Sequence, residues 1–261
     1  TKTIMRAVIV TQNLIPAFTG NGSSVYLWAL TRQLILKKFE VHLISYNLNF
    51  DKWLKICGCE SDRDLENFLW DNEVVPHFIE FKEKNHPTGF LGTYLGRAIF
   101  QRPEYYYNGY RYSDSISSIL SRIEPDILFP YTIDAVSAVK QYKVLRNISC
   151  TAIIVDIDHL VRRYRRKYSG KRSLKASIRQ FRNIIAERKH LQTSLDLLEI
   201  SDQICCSAYH HANWLKQKGF KNIGYFPVPV LDRPGEKWES KKTYFQNISK
   251  SPRIIMVGNV N

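Results

Sequence analysis

Apolar residues run almost without a break from Ile4 to Thr11, and most of them are β-branched. A run of that kind predicts a strand. Polar and small residues follow from Gln12 to Gly22. The rhythm then changes. Val25, Leu27, Trp28, Leu30, Leu34 and Ile35 supply the apolar side of a helix running to about Lys38, with Ser23 or Ser24 placed to cap it. Val41 to Ser45 returns to strand. Strand, long loop, helix and strand in this order predict a parallel pair joined by a right-handed crossover.

The alternation resumes further on. A helix is predicted over Ile116 to Ile123, broken by Glu124-Pro125, then a strand from Asp126 to Phe129 and a helix from Asp134 to about Tyr142. Thr151 to Val155 is the next strand, and an interrupted helix leads from Lys171 towards Leu198. Gln203 to Ser207 is a strand, Ser207 is placed to cap a helix that Gly219 ends, and Asn222 to Phe226 is a last short strand. Together these predict an α/β fold, a Rossmann-like doubly wound parallel sheet spanning residues 1–226. Two stretches interrupt it. Residues 50–115 read as an irregular insertion, acidic around Glu60 to Asp71 and rich in Tyr and Gly further on. Residues 227–252 read as a Pro-, Lys- and Ser-rich linker, and Arg253 to Val257 as the first strand of a second domain.

Composition narrows the class. At 261 residues, 44% of them hydrophobic, the chain has material for a large core, which argues against disorder. No apolar run approaches the roughly 20 residues of a membrane span, and the first strand lacks the flanks of a signal peptide. Five cysteines, an odd count, are expected as reduced thiols of a cytoplasmic protein. Cys57-Gly58-Cys59 lacks the spacing of a zinc knuckle, and no metal is expected. The net charge is +14, and its source is local: between Leu160 and Lys189 twelve cations face one acid, Glu187. Such a field attracts anionic lipid, phosphate-bearing molecules or nucleic acid.

Several constellations could carry chemistry. In Gly20-Asn21-Gly22-Ser23-Ser24 the glycines allow close backbone approach, and the helix start offers free N–H groups to an anion; the plainer reading is a loop with a cap. Asp156-Ile157-Asp158-His159 follows a buried strand, where ligands of open α/β sheets sit. Its carboxylates and imidazole can bind sugar hydroxyls or move a proton. Leu174, Ile178, Phe181 and Ile185 recur at helical spacing, with Lys171, Arg172, Lys175, Arg179 and Arg182 on much of the other surface. This reads either as a solvated outer helix or as a peripheral anionic-membrane contact. No nucleic-acid fold signature accompanies the charge, and no nucleic-acid partner is expected. Tyr107, in the tyrosine-rich stretch, and Tyr131 are candidates for stacking on an acceptor sugar, although core packing is the commoner use of such rings.

The opening Arg6-Ala7-Val8-Ile9-Val10-Thr11-Gln12, Pro16, the Gly20/Gly22 turn and the long first helix resemble the N-terminus of family 4-type GT-B glycosyltransferases. So does Glu124-Pro125-Asp126-Ile127-Leu128. The fullest match is Ile200-Ser201-Asp202-Gln203-Ile204-Cys205-Cys206-Ser207, followed by Leu215, Gly219, Asn222-Ile223 and Phe226-Pro227-Val228-Pro229-Val230. The resemblance covers nearly all of the chain outside 50–115. It implies one half of a two-domain GT-B architecture, the acceptor-side domain, inactive without its donor-binding half. The implied reaction takes a nucleotide-sugar donor to a glycan, lipid-linked or other acceptor, retaining and independent of metal, with no other cofactor. It maps donor-phosphate contact onto Gly20, Asn21, Gly22 and Ser23, and contact with the transferred sugar onto Asp156, Asp158 and His159. The family usually has His or His-Asp where this chain has Asp-Ile-Asp-His, so which of the three acts stays open. Rival readings are a Rossmann oxidoreductase or epimerase-like protein, against which the missing acid after Tyr46 argues, and a membrane-anchoring subunit of a split transferase.

Overall fold

The computed structural model describes residues 4–17, 22–80, 107–157, 188 and 190–226. Compact grouping divides the chain into Thr1–Val228 and Pro229–Asn261, and all described residues belong to the first unit. The linker and the strand expected at Arg253 lie outside them.

Seven strands form one all-parallel sheet in the order β3-β2-β1-β4-β5-β6-β7. They are β1 (Arg6–Gln12), β2 (Glu40–Tyr46), β3 (Val74–Ile79), β4 (Ile127–Pro130), β5 (Ser149–Ile154), β6 (Gln203–Cys206) and β7 (Ile223–Tyr225). The helices are α1 (Gly22–Leu36), α2 (Phe50–Cys57), α3 (Asp62–Asp71), α4 (Ser113–Ile123), α5 (Ile133–Arg146), α6 (residues 190–198) and α7 (Tyr209–Gln217). A 3-10 turn, Asn108–Tyr112, leads into α4. The order of strands reverses direction beside β1: β2 and β3 build to one side, β4 onwards to the other. This is the doubly wound Rossmann-like arrangement.

Alternating side chains divide the core between two faces. Ala7, Ile9, Val41, Leu43 and Val74 meet α1, α2 and α3 through Leu27, Trp53, Leu65 and Leu69. Val8, Val10, Ile44 and Leu128 meet α4 and α5 through Ile116, Leu120, Ala135 and Val139. Ala152, Ile154, Ile204 and Cys206 continue that second face against Val136, Leu197 and Leu215. β1 is buried on both faces, as its unbroken apolar run requires.

The insertion expected to be irregular is regular where it is described. α2 starts on Asn49, whose side chain accepts from the Lys52 amide at 3.1 Å, and ends on Gly58 at φ 69°. α3 opens on a reciprocal capping box between Ser61 and Asp64. The segment after it becomes the edge strand β3. Pro76 disguises it, but an edge strand has a side on which a missing N–H costs nothing. Trp53 is fully buried and its Nε1–H donates to the Asn13 carbonyl at 3.2 Å, which ties α2 to the loop after β1. Truncating it to Ala would cost about 3–5 kcal/mol.

Two capping expectations are corrected. α1 already begins at Gly22, and Ser24 is buried within its first turn. Ser207 does not cap α7; its hydroxyl donates to the Val155 carbonyl at 3.0 Å, and Ala208 stands at the N-cap without a side-chain bond. Gly219 does sit just past the helix end, at φ 98°.

Candidate functional site at the carboxyl edge of the sheet

The reversal of strand order opens a crevice at the carboxyl ends of β1 and β4, and in open α/β sheets this is where ligands bind. The chain leaves β1 through Asn13, a residue at φ 49°. It leaves β4 through Tyr131 and Thr132. The Tyr131 amide donates to the Val10 carbonyl and the Thr132 amide to the Ile153 carbonyl, each at 2.8 Å. Between them these bonds pin the exit of β4 to both neighbouring strands. Thr132 pays for that with φ 83° and ψ 160°, backbone territory that is essentially glycine's, at about 1–3 kcal/mol. Strain of this kind clusters at sites where the surroundings over-determine the backbone.

Two helices start at this crevice, and they differ. α5 carries Asp134 in its first turn. That carboxylate accepts from the Tyr46 hydroxyl at 2.6 Å and from the Asn108 amide at 2.7 Å. Its charge already answers the positive end of the α5 dipole. Burial, and then the Asp134 charge, push the Tyr46 phenol well above its ordinary pKa. α1 has no acid in its first turn, and a Cβ built on Gly22 meets nothing within 4 Å. Among the described residues no acid answers the positive end of the α1 dipole, a setting that suits an anion.

Gly22 and Ser23 adjoin Tyr131, whose hydroxyl contacts the Ser23 carbonyl at 3.4 Å. Tyr131 is buried, its ring 5.9 Å from that of Tyr26, which in turn packs edge-on against Phe226 at 5.2 Å. The Tyr26 hydroxyl donates to the Phe226 carbonyl at 3.0 Å. Burial is the main cause that pushes the Tyr131 phenol up to about 12; the Ser23 bond opposes it and the Asp156 charge adds to it. Asp156 is exposed at the end of β5 and so lies within electrostatic reach of Tyr131. The sheet thus brings Gly22, Ser23, Tyr131 and Asp156 to one edge. Gly20, Asn21, Asp158 and His159 lie outside the described residues, as do Lys171, Arg172, Lys175, Arg179 and Arg182.

Tyr107 is elsewhere. It is buried in the core between the start of α4 and α6, its hydroxyl bonded to Ser194 and its ring against His190. Tyr131 is likewise buried.

One residue at this edge was not singled out by the sequence. His211, in the first turn of α7, is buried, and its Nδ1 has no partner among the described residues. Burial, then His210, lower its pKa, while Asp156 and the Val155 carbonyl act the other way. Its neighbour His210 and the exposed Tyr209 hid it in a polar-looking run. Among the described residues no group of three or more His, Cys, Asp or Glu side chains is placed to hold a metal. All five thiols are free, and burial pushes Cys150 and Cys206 up to about 12. No described helix is long and apolar enough to cross a membrane.

No family model matches the chain, and no curated protein matches it. Solved structures of similar backbone include UGT89C1 of Arabidopsis thaliana complexed with UDP-L-rhamnose, at 11% identity and TM-score 0.49, covering 90% of this chain and 55% of that one. Sucrose-phosphate synthase from Thermosynechococcus elongatus matches at 10% identity and TM-score 0.48, over 85% and 48% of the two chains. UDP-N-acetylglucosamine 2-epimerase from Rickettsia bellii matches at 14% and 0.43, over 95% and 49%. The chain spans about half the length of these structures. Likeness at this level carries no residue-by-residue correspondence, and the site rests on the strand order and the contacts described above.

Proposed function

We propose that this chain is the acceptor-side domain of a nucleotide-sugar-dependent glycosyltransferase of the GT-B kind, working with a donor-binding domain across the carboxyl edge of its sheet. The observation that carries the reading is the start of α1, free of first-turn acid and open at Gly22, beside Tyr131 and Asp156 at the reversal of strand order. Glycosyl transfer develops negative charge on the leaving diphosphate and positive charge on the sugar. Backbone N–H groups around Gly20, Asn21, Gly22 and Ser23 suit the first, and carboxylate or imidazole groups among Asp156, Asp158 and His159 suit the second. The Asp156 charge acts on His211, which makes His211 an added candidate at this edge. In this reading the acceptor is a glycan or lipid-linked molecule, transfer is retaining and needs no metal, and the Lys171 to Arg182 segment contacts an anionic membrane surface at the cytoplasmic side.

The test is sugar transfer by the chain together with its donor-binding domain. Gly22→Val is the informative substitution, because among the described residues none obstructs a side chain there and folding should be unaffected. Transfer should fall by about 10²-fold, the scale of a lost oxyanion contact, with the melting temperature unchanged. Undiminished transfer in Gly22→Val would remove the phosphate from this loop, and consumption of nucleotide sugar by epimerisation without an acceptor would replace the reading altogether.

A further inference from the structure

The amino edge of the same sheet carries a second recess. On the α4-facing side, Arg6 precedes Val8 and Val10, Glu40 and His42 precede Ile44, and His77 precedes Ile79; side-chain alternation puts them all on that face. The last turn of α4 completes the walls with Ile119, Arg122 and Ile123, around a recess of about 370 Å³.

Its polar groups form a chain with a fixed direction. Arg6 Nε lies 3.7 Å from Glu40 Oε2, and an Arg6 guanidinium N–H donates to the Ile123 carbonyl. The Arg6 amide donates to Asp126. Glu40 Oε1 lies 3.2 Å from His42 Nε2, and His42 Nδ1 lies 3.1 Å from His77 Nε2. A carboxylate only accepts, so His42 Nε2 carries the hydrogen. In the neutral ring His42 Nδ1 is then a lone pair, and His77 Nε2–H donates to it. That leaves His77 Nδ1 as an acceptor at the end of the chain. The rings are only 18° from parallel with centroids 5.4 Å apart, the geometry of an end-to-end N–H···N bond. The two facing nitrogens share one hydrogen between them, so neither is free to join a metal site. Glu40 is occupied by Arg6 and His42. Arg122 has no carboxylate partner among the described residues, and its charge acts on His77.

We propose that this recess binds a small oxyanion, a phosphate or carboxylate group, between Arg122 and His77, and that the histidine pair takes up one proton as it does so. With the recess empty, a proton is hard to add: burial, then the charges of His42 and Arg122, hold His77 down to about 4. An anion cancels the Arg122 charge and gives His77 Nδ1–H an acceptor. The proton comes from solvent and sits on the pair, which then donates outward where it formerly accepted. This site is independent of the carboxyl-edge function and lies at the opposite end of the strands.

The experiment follows the imidazole resonances of the full chain as sulfate, an oxyanion that does not itself titrate, is added at constant ionic strength. The His42 and His77 signals should shift saturably. Affinity should rise as pH falls, by up to about tenfold per pH unit where the proton is taken up. Arg122→Gln, at an exposed position, should leave the fold intact and weaken sulfate by about tenfold or more. His77→Gln should flatten the pH dependence. Repeating the titration with acetate tells which oxyanion the recess takes: tighter sulfate assigns phosphate-type ligands, tighter acetate assigns carboxylates. Non-saturating shifts with both ions, equal affinity in Arg122→Gln, or affinity that ignores pH would each overturn the proposal.

Discussion

Gly109 and Thr132 are two positions where the backbone leaves little choice. A Cβ on Gly109 would lie 2.1 Å from the Asp134 carbonyl oxygen and 2.8 Å from the Ala138 nitrogen, both backbone atoms of α5 that cannot step aside. The absent side chain is what lets the turn before α4 sit against α5 and deliver the Asn108 amide to Asp134. Gly109→Ala should therefore cost about 1–3 kcal/mol in urea unfolding, the scale of overpacking. Gly22→Ala, with nothing within 4 Å, should cost none and serves as the control. Equal stability of the two variants would contradict the close packing. Thr132 is the converse case, a side chain kept where glycine would be easier. Neither feature leaves a local trace in sequence. Asp134 is as hidden: it looks like an ordinary helix-start acid, and nothing nearby reveals that it holds Tyr46, a residue of β2.

At the scale of elements, β2 and β3 are joined by backbone pairing and by the His42–His77 bond. Burial is the first cause lowering both imidazoles, and His77 reaches about 4. In the unfolded chain each would take a proton near 6.5. As pH falls below that value the unfolded state gains protons that the folded state refuses, so stability is full above about 6.5 and declines towards 4. Urea midpoints measured across this window should fall less steeply in His77→Gln than in the native chain; parallel slopes would contradict the assignment. His77 also helps to explain why β3 escaped the sequence reading. Pro76 and His77 interrupt the apolar alternation of Val74-Val75-Pro76-His77-Phe78-Ile79, and only its place at the sheet edge makes that tolerable. β1, α1, β2, α5 and β5 were legible because buried parallel strands and long helices write continuous or regularly spaced apolar runs. The capping of α7 was misread because the helix begins at Tyr209 with Ala208 at its N-cap, one residue beyond Ser207.

For the whole domain, the parallel sheet gives the two edges different work. Helices of α1 and α5 begin at the carboxyl edge, and Arg6, Arg122 and the histidine pair gather at the amino edge. Of the residues the sequence put forward, Ser23 accepts from the Tyr131 hydroxyl and the Asp156 charge acts on Tyr131. His211 was not legible, since a histidine following His210 in a polar run shows no pattern until α7 buries it. The most direct test of a phosphate at the mouth of α1 is an amide NMR titration of the chain, together with a donor-binding domain, with a panel of nucleotide sugars. Occupancy of the crevice predicts saturable shifts at Gly22 to Ser24, Tyr131 to Ile133 and Asp156, with Arg6 and His77 unmoved. Shifts confined to the amino edge, or none at Gly22 to Ser24 with any nucleotide sugar, would contradict it.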